Sequence, residues 1–343
     1  MAASHPQVRL GLPSKGRMED ETMTFLAECN LRVDKTNPRQ YSARIPAMPE
    51  ILVLFQRARD IARSVAAGDI DLGITGYDTV LDALGDDLSD IIVVHEALGY
   101  GECRLVVAVP DEWDDVTDLP SLNQKAQSTG GLRAATKHVT SAELFFGKHN
   151  LSEAIQVVSA DGALEAAPAV GYAEMIVDIT STGTTLRDNR LKTIDGGTLV
   201  ESQAVMIANR ESLRSQDQLL ETARHLLEFF EARLRARGQY LVMANMRGSS
   251  EAEIAERIFT QTDLGGLQGP TISPVATRDG QGGWYAINII VSQKRLYRAI
   301  QQIRGIDGSG VVVTPTTFIF EERPERYQRL LRELGRVEAS NHD

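Results

Sequence analysis

The segment Met175-Ile-Val-Asp-Ile-Thr-Ser-Thr-Gly-Thr-Thr-Leu-Arg187 ends an apolar run on an acid and follows it with hydroxyls and a glycine. If the run is a strand and a short helix begins near Thr184, the backbone N–H groups and hydroxyls of Thr180, Ser181, Thr182, Gly183, Thr184, Thr185 and Leu186 converge just before the helix. The macrodipole favours an anion there as well, and a phosphate fits. Asp178 would repel that phosphate unless it serves another group, such as a pair of sugar hydroxyls. Together these residues describe a ribose 5-phosphate clamp, although a capped turn would use the same residue types. Glu165, in the small, apolar stretch Asp161-Gly-Ala-Leu-Glu-Ala-Ala-Pro-Ala-Val-Gly171, is either a second carboxylate for that ribose or a surface helix residue.

A second set of groups suits polyphosphate. Leu12-Pro-Ser-Lys-Gly-Arg17 follows the first apolar run, where α/β sheets place ligands at their carboxyl edge. Lys15 offers a point charge, Arg17 a fork, and Gly16 lets a backbone approach closely. Arg57 and Arg59 follow another such run, and Asp71-Leu-Gly-Ile-Thr-Gly-Tyr-Asp78 ends a third, with Thr75 and Gly76 opening a helix. Each cation alone could equally be a surface residue, and the glycines could serve tight turns. Other chemistries lack their residues. There is no G-x-x-x-x-G-K-[ST], H-E-x-x-H or G-x-S-x-G, and Gly308-Ser-Gly310 meets Val313 where a dinucleotide fingerprint needs glycine. His138 and His149 flank a helix and read as surface residues.

To position these groups the chain needs strands that end at them. From Val8 to about Asn209, apolar runs alternate with helical stretches in an α/β pattern. Strands are expected at Val8–Leu12, Ile51–Phe55, Ile70–Ile74, Ile91–Val94, Arg104–Val109, Ile155–Val158 and Met175–Ile179. Polar composition between Asp111 and Gly131 suggests an irregular connection. Gln216 to Arg237 carries one apolar helical stripe. The order after it is βαββαβ, a ferredoxin-like unit, with strands at Tyr240–Met246, Thr271–Ala276, Trp284–Ser292 and Gly310–Glu321 and helices at Ser250–Gln261 and Lys294–Ile303. Ser249 or Ser250 before Glu253 suggests a helix cap. A charged amphipathic helix is expected from Arg323 to Val337.

The 343 residues allow two or three domains, and 42% hydrophobic with 24% charged residues is ordinary globular composition. A formal charge of −11 disfavours nucleic acid as partner. Two cysteines, Cys29 and Cys103, are too few for a disulfide framework or a Cys-rich zinc site. The start lacks the features of a secretory signal and no apolar run reaches membrane-spanning length. The expectation is a soluble, cytoplasmic protein with no membrane partner.

Pro13-Ser-Lys-Gly-Arg17, Arg57-Ala-Arg-Asp-Ile61, Asp71-Leu-Gly-Ile-Thr-Gly76, Gly101-Glu-Cys-Arg-Leu105 and Val177-Asp-Ile-Thr-Ser-Thr-Gly-Thr-Thr-Leu186, in that order, resemble the ATP phosphoribosyltransferases of histidine biosynthesis. The terminal βαββαβ unit resembles the long form, whose ACT-like domain binds histidine as feedback inhibitor. The resemblance implies a bilobed catalytic region like a periplasmic binding protein. Lobe I would comprise 1–98 and 180–215, lobe II 99–179, with the linker helix 216–237, the regulatory domain 238–322 and a tail 323–343. It implies transfer of phosphoribosyl from 5-phosphoribosyl 1-diphosphate to N1 of ATP, with Mg²⁺ on residues the sequence does not identify. Thr180 to Leu186 would hold the 5-phosphate, and Asp178 and Glu165 the ribose. Lys15, Arg17 and Arg57 would act on the diphosphate, and Lys15, Gly16, Arg17, Arg59, Asp71, Thr75 and Gly76 on ATP. Asn245, Thr271, Ser273 and Thr314 would meet histidine, and dimers would assemble into a hexamer. Ala134-Ala-Thr-Lys-His-Val139 departs from the family's usual Ala-Thr-x-Tyr-Pro-like segment, Asp161-Gly162 replaces Ser-Gly, Ala244-Asn-Met lacks an acid of some members, and the tail is long. A non-catalytic sensor and another phosphoribosyltransferase are the alternatives at this point.

Overall fold

A computed structural model describes residues 7–37, 39–278, 280 and 282–336. The chain opens with β1 (Val8–Pro13), α1 (Gly16–Glu28), β2 (Ser42–Ile45), β3 (Met48–Gln56), α2 (Ala58–Ala66), β4 (Leu72–Gly76), α3 (Tyr77–Leu84) and β5 (Ile91–His95). It continues through β6 (Cys103–Pro110), α4 (Leu119–Thr129), β7 (Leu132–Thr136), α5 (Val139–Lys148), β8 (Ile155–Ser159), β9 (Met175–Thr180), α6 (Thr184–Asp188) and β10 (Leu191–Ser202). β11 (Ala204–Asn209), α7 (Arg210–Ser215) and α8 (Asp217–Ala236) follow.

Two mixed sheets result, ordered β2-β3-β1-β4-β11-β5 and β10-β6-β9-β7-β8. β1 is parallel to β3 and β4, and these strands are apolar because helices cover them. Ile61, Ala62 and Val65 form the buried stripe of α2. Ile61 seats so closely that a Cβ on Gly73 would lie 2.5 Å from its Cγ2. The chain crosses between the sheets twice, and the crossings are bonded to each other: the Leu98 amide donates to the Ala204 carbonyl and the Ala204 amide to that of Tyr100, each at 3.0 Å. These are the two lobes expected of a periplasmic-binding-protein-like region.

The lobe boundary differs from expectation. β10 pairs with β6 in the second sheet, so the return to the first falls at Gln203 and not at residue 180. β10 escaped detection because its ladder shifts register between Thr193 and Thr198 and again between Thr198 and Val200. The expected irregular connection contains α4. Asp118 accepts from the Ser121 amide at 2.9 Å while Ser121 Oγ accepts from the Asp118 amide at 3.0 Å, a reciprocal cap that starts a helix anchored by only Leu122 and Ala126.

Residues 228–322 form a separate unit. Its β12 (Gln239–Arg247), α9 (Glu251–Gln261), β13 (Thr271–Pro274), β14 (Trp284–Ser292), α10 (Leu296–Gly305) and β15 (Ser309–Pro315) make an antiparallel sheet ordered β13-β14-β12-β15, the ferredoxin-like arrangement. Val242, Ala244, Met246, Ile287 and Ile289 meet Ile254, Ile258 and Ile303 of the helices in its core. Ser250 caps α9 by accepting from the Glu253 amide at 3.2 Å. β15 stops six residues before the expected Glu321, since Phe318 and Phe320 turn to pack against Phe229 instead of extending the ladder. The final helix, α11 (Glu325–Leu334), belongs to the first unit. It buries Tyr327, Leu330, Leu331 and Leu334, while Arg326 and Arg329 grip Glu96, each at 2.7 Å. The expected end of this helix, Val337, lies outside the described residues.

Candidate active site

β9 delivers Asp178 to the carboxyl end of the second sheet, half-buried, with one carboxylate oxygen accepting from the Ile179 amide at 2.8 Å. Burial pushes its carboxyl above the ordinary range; the Ile179 amide and Lys137 oppose that rise and the Glu165 carboxylate adds to it. Glu165 therefore lies within electrostatic reach of Asp178. It sits in a short 3₁₀ turn, Leu164–Ala166, entered through Ala163 at φ 47° and pinned by buried Leu164. The turn brings Glu165 within electrostatic reach of Asp178.

The loop that follows is ordered by its own hydroxyls and one glycine. Buried Thr180 accepts from the Gly183 amide at 2.9 Å, and Gly183, at φ 74°, adopts a left-handed conformation that a Cβ would strain. Leu186 is buried and anchors α6. Ser181 Oγ donates to the Glu102 carbonyl at 3.2 Å, holding the loop toward β6, and the Thr182 and Thr184 hydroxyls bond each other at 3.0 Å. The amides of Ser181 and Thr182 donate to no oxygen among the described residues. Exposed Thr185 completes the turn. Arg187 reaches back to the Thr182 carbonyl and Thr184 Oγ1, adding a cation to the loop that the sequence reading did not assign.

In the first sheet, register places Pro13 beside Gln56, and parallel pairing brings β4 to the same edge through Gly76. Lys15, Gly16, Arg17 and Arg57 are exposed there. Arg17 donates to Glu21 Oε1 at 2.8 Å, and Arg59 is held near Asp82 of α3, Nη1 to Oδ2 3.5 Å. Thr75 is buried and donates to the Ala58 carbonyl, so its hydroxyl ties β4 to α2. Gly76 precedes α3 where a Cβ would come within 2.5 Å of Asp78 Oδ1. Asp71 is a correction. It precedes β4 at the opposite end of the strand, buried, and its carboxylate accepts from the Arg9 backbone at 2.8 Å and from the Arg9 guanidinium at 2.7 Å. Asp71 is a structural ion pair, and the sequence could not show at which end of the strand it would lie.

The two lobes meet along one face of α3. The Asp78 amide donates to Ser202 Oγ at 2.9 Å and that hydroxyl donates to Asp78 Oδ1 at 2.6 Å, while the Ser141 amide of α5 points at Asp82 Oδ1 at 3.4 Å. Cys103 stands beside this junction. Burial and then Asp78 push its thiol up, against Ser202, Arg17 and Lys137. Cations from both lobes thus act on one point. Lys137 was not among the expected site residues. His138 is a second correction: it is only 6% exposed, and neither ring nitrogen bonds anything among the described residues. His149 is exposed, as expected, and packs on the Phe145 ring.

In the second unit, Asn245 and Ser273 both pair with Ala286, Thr271 pairs with Asn288 and Thr314 with Leu241. Alternation places all four on the sheet face away from the buried core, together with exposed Leu241, Met243 and Val312.

Comparison with known proteins gives the family. Residues 57–232 match the family model described as ATP phosphoribosyltransferase, and residues 236–317 match the HisG C-terminal domain. Two Arabidopsis thaliana proteins, ATP phosphoribosyltransferase 2 and 1, both chloroplastic, are 47% and 46% identical over 336 residues, 96% of this chain and 81% of each relative. A chain of the ATP phosphoribosyl transferase (HisG:HisZ) complex from Thermotoga maritima superposes over 66% of this chain and 98% of its own, with a TM-score of 0.51 at 22% identity, a likeness of fold. With its two mixed sheets, the Thr-rich loop after Asp178 and a separate βαββαβ unit, the chain belongs to the ATP phosphoribosyltransferase family that opens histidine biosynthesis, in the long form with a C-terminal regulatory domain.

Proposed function

We propose that the interlobe cleft joins N1 of the adenine of ATP to C1 of 5-phosphoribosyl 1-diphosphate by positioning and charge stabilisation, with Asp178 and Glu165 on the ribose and the loop Thr180 to Leu186 on the 5-phosphate. One observation carries this reading: Asp178, within electrostatic reach of Glu165 and Lys137, stands directly before a loop whose Ser181 and Thr182 amides donate to no oxygen among the described residues. Adenine N1 attacks through its lone pair, so no general base is needed. As diphosphate departs, the ribose gains oxocarbenium character and the half-buried Asp178 carboxylate, poorly solvated beforehand, finds the positive charge that suits it. Lys15, Arg17 and Arg57 stabilise the departing diphosphate. Gly16, Arg59, Thr75 and Gly76 shape the ATP side, Thr75 and Arg59 through the α2–α3 scaffold; Asp71 leaves this set.

Among the described residues no three His, Cys, Asp or Glu surround one point as a metal cage. Asp178 and Glu165 offer hard oxygen donors, so they would hold a Mg²⁺ that arrives on substrate phosphates. When bound, that ion would neutralise charge on the leaving group. In the regulatory unit, Asn245, Thr271, Ser273 and Thr314 are proposed to take histidine as inhibitor, and the apolar residues of the same face suit assembly of dimers into a hexamer. No helix among the described residues is long and apolar enough to cross a membrane. The names of both Arabidopsis relatives favour a plastid over the cytoplasm, which imaging of the tagged protein decides. The reaction is tested by mixing purified protein with ATP, 5-phosphoribosyl 1-diphosphate and Mg²⁺ and following the adduct's absorbance. Product with ATP is expected; no product, or product only with free adenine, rejects the reading.

A further inference from the structure

We propose that Lys137 is a substrate-contact residue, its ammonium donating to the phosphate bonded to C1 of the phosphoribosyl donor. The proposal rests on the ribose and 5-phosphate assignments above and deepens them. Strand register carries it first. In the parallel pair β7 and β9, Ala134 lies beside Met175 and Ala135 beside Ile176, so the same step continued sets Lys137, the residue after β7, beside Asp178. Register partners share a face of the sheet, and every second residue returns to it. Ala135 and Ile176 pack in one cluster with Leu164 and Leu186. Lys137 and Asp178 therefore leave the sheet on the face that the Glu165 turn and α6 cover. The root of Lys137 is fixed, since the Thr136 carbonyl accepts from the Ala160 amide and Thr136 Oγ1 from the His138 amide, each at 2.9 Å.

The shape of the sugar carries it further. β9 lies between β6 and β7, and Ser181 ties the 5-phosphate loop to the Glu102 carbonyl just before β6. With the ribose hydroxyls on Asp178 and the 5-phosphate arm leaving C4 toward β6, C1 lies across the ring oxygen, on the β7 side where Lys137 stands. A diphosphate on C1 is then held one sugar ring away from two carboxylates, and their repulsion calls for a cation on the same lobe. Lys137 is exposed and makes no ion pair among the described residues, yet its charge reaches Asp178 and opposes the rise of that carboxyl. It is a point charge suited to phosphate and not consumed by the neighbouring acid. Lys15, Arg17 and Arg57 belong to the edge of the first sheet, so Lys137 holds the diphosphate from the second lobe and they complete its charge from the first. As the C1–O bond breaks, its electron pair stays on the diphosphate, where the ammonium meets it by a charge-assisted hydrogen bond without giving up a proton.

The experiment compares wild type with Lys137→Met and Lys137→Arg, using Mg²⁺-diphosphate and ribose 5-phosphate as separate calorimetric probes. In Lys137→Met, diphosphate affinity and the KM for phosphoribosyl diphosphate should worsen roughly tenfold or more, with ribose 5-phosphate affinity and the KM for ATP within about twofold. Lys137→Arg should recover most of the loss. Unchanged diphosphate affinity, an equal loss for ribose 5-phosphate, or a loss confined to ATP overturns the assignment. Lysine acetylation of the unsubstituted protein, read by peptide mass spectrometry, tests it even if a variant misfolds: Mg²⁺-diphosphate should protect Lys137 and ribose 5-phosphate should not, and equal labelling with and without diphosphate overturns it. Wild-type activity is measured first. Its absence rejects the underlying reading, whereas an active wild type with an indifferent Lys137→Met rejects only the role of Lys137.

Discussion

At the scale of single residues, Asp178 carries the sharpest expectation. Asp178→Ala should weaken phosphoribosyl diphosphate more than ATP and lower kcat/KM by about 10²-fold or more; equal weakening of both substrates in steady-state assays would contradict the ribose assignment. A second expectation concerns His95, fully buried, with Nδ1 accepting from the Ala97 amide at 3.2 Å. Burial, reinforced by Arg326, lowers its pKa to about 3 from 6.5. Unfolded chains therefore bind this proton first as pH drops below 6.5, and stability should decline by up to about 1.4 kcal/mol per pH unit toward pH 3. Glu96 adds nothing in the upper part of that window. Half-burial alone would raise its carboxyl, but Arg326 and Arg329 hold it at about 2, so its contribution fades only below its ordinary value of 4.5. Urea melts at pH 6.5 and 5 should show the decline in wild type and a smaller one in His95→Gln; parallel declines would count against the assignment. What sequence made legible at this scale was chemistry with a local pattern, as in Asp178 and its Thr-rich loop. What it hid was direction and burial: Asp71 lies at the wrong end of its strand, and Lys137 and His138 follow an alanine-rich strand that gives no clear strand signal.

At the scale of elements, local signals succeeded where a helix or strand had a strong apolar face. The stripe of α8, the strand β12 and a cap at Ser249 or Ser250 were all readable before any fold was known. α4 and β10 were not. The first rests on a reciprocal cap and two buried side chains, the second is an edge strand whose bulges break its alternation. The cap of α4 is correspondingly exposed to test. Asp118→Ala should cost about 1 kcal/mol in chemical denaturation and leave the KM for both substrates unchanged. A loss of activity without a loss of stability would show that α4 reaches the cleft.

For the molecule as a whole, the helix after the regulatory unit is an expected source of stability. Deleting residues 323–343 removes the buried faces of Tyr327, Leu330, Leu331 and Leu334 and frees Glu96 from two arginines. The loss should be roughly 5 kcal/mol, read as a fall in melting temperature of about 10 °C; an unchanged melt would mean that α11 is dispensable. The same helix gives the chain an unusual connectivity. Because residues 323–336 rejoin the unit that holds the two lobes, the four-stranded domain is an insertion rather than an appendage. Both of its ends lead into one body, so a cut after it leaves it on the lobes' own polypeptide, whereas a cut before it leaves it joined only to the segment that carries α11, whose buried face and two arginines on Glu96 would then be the link to the lobes.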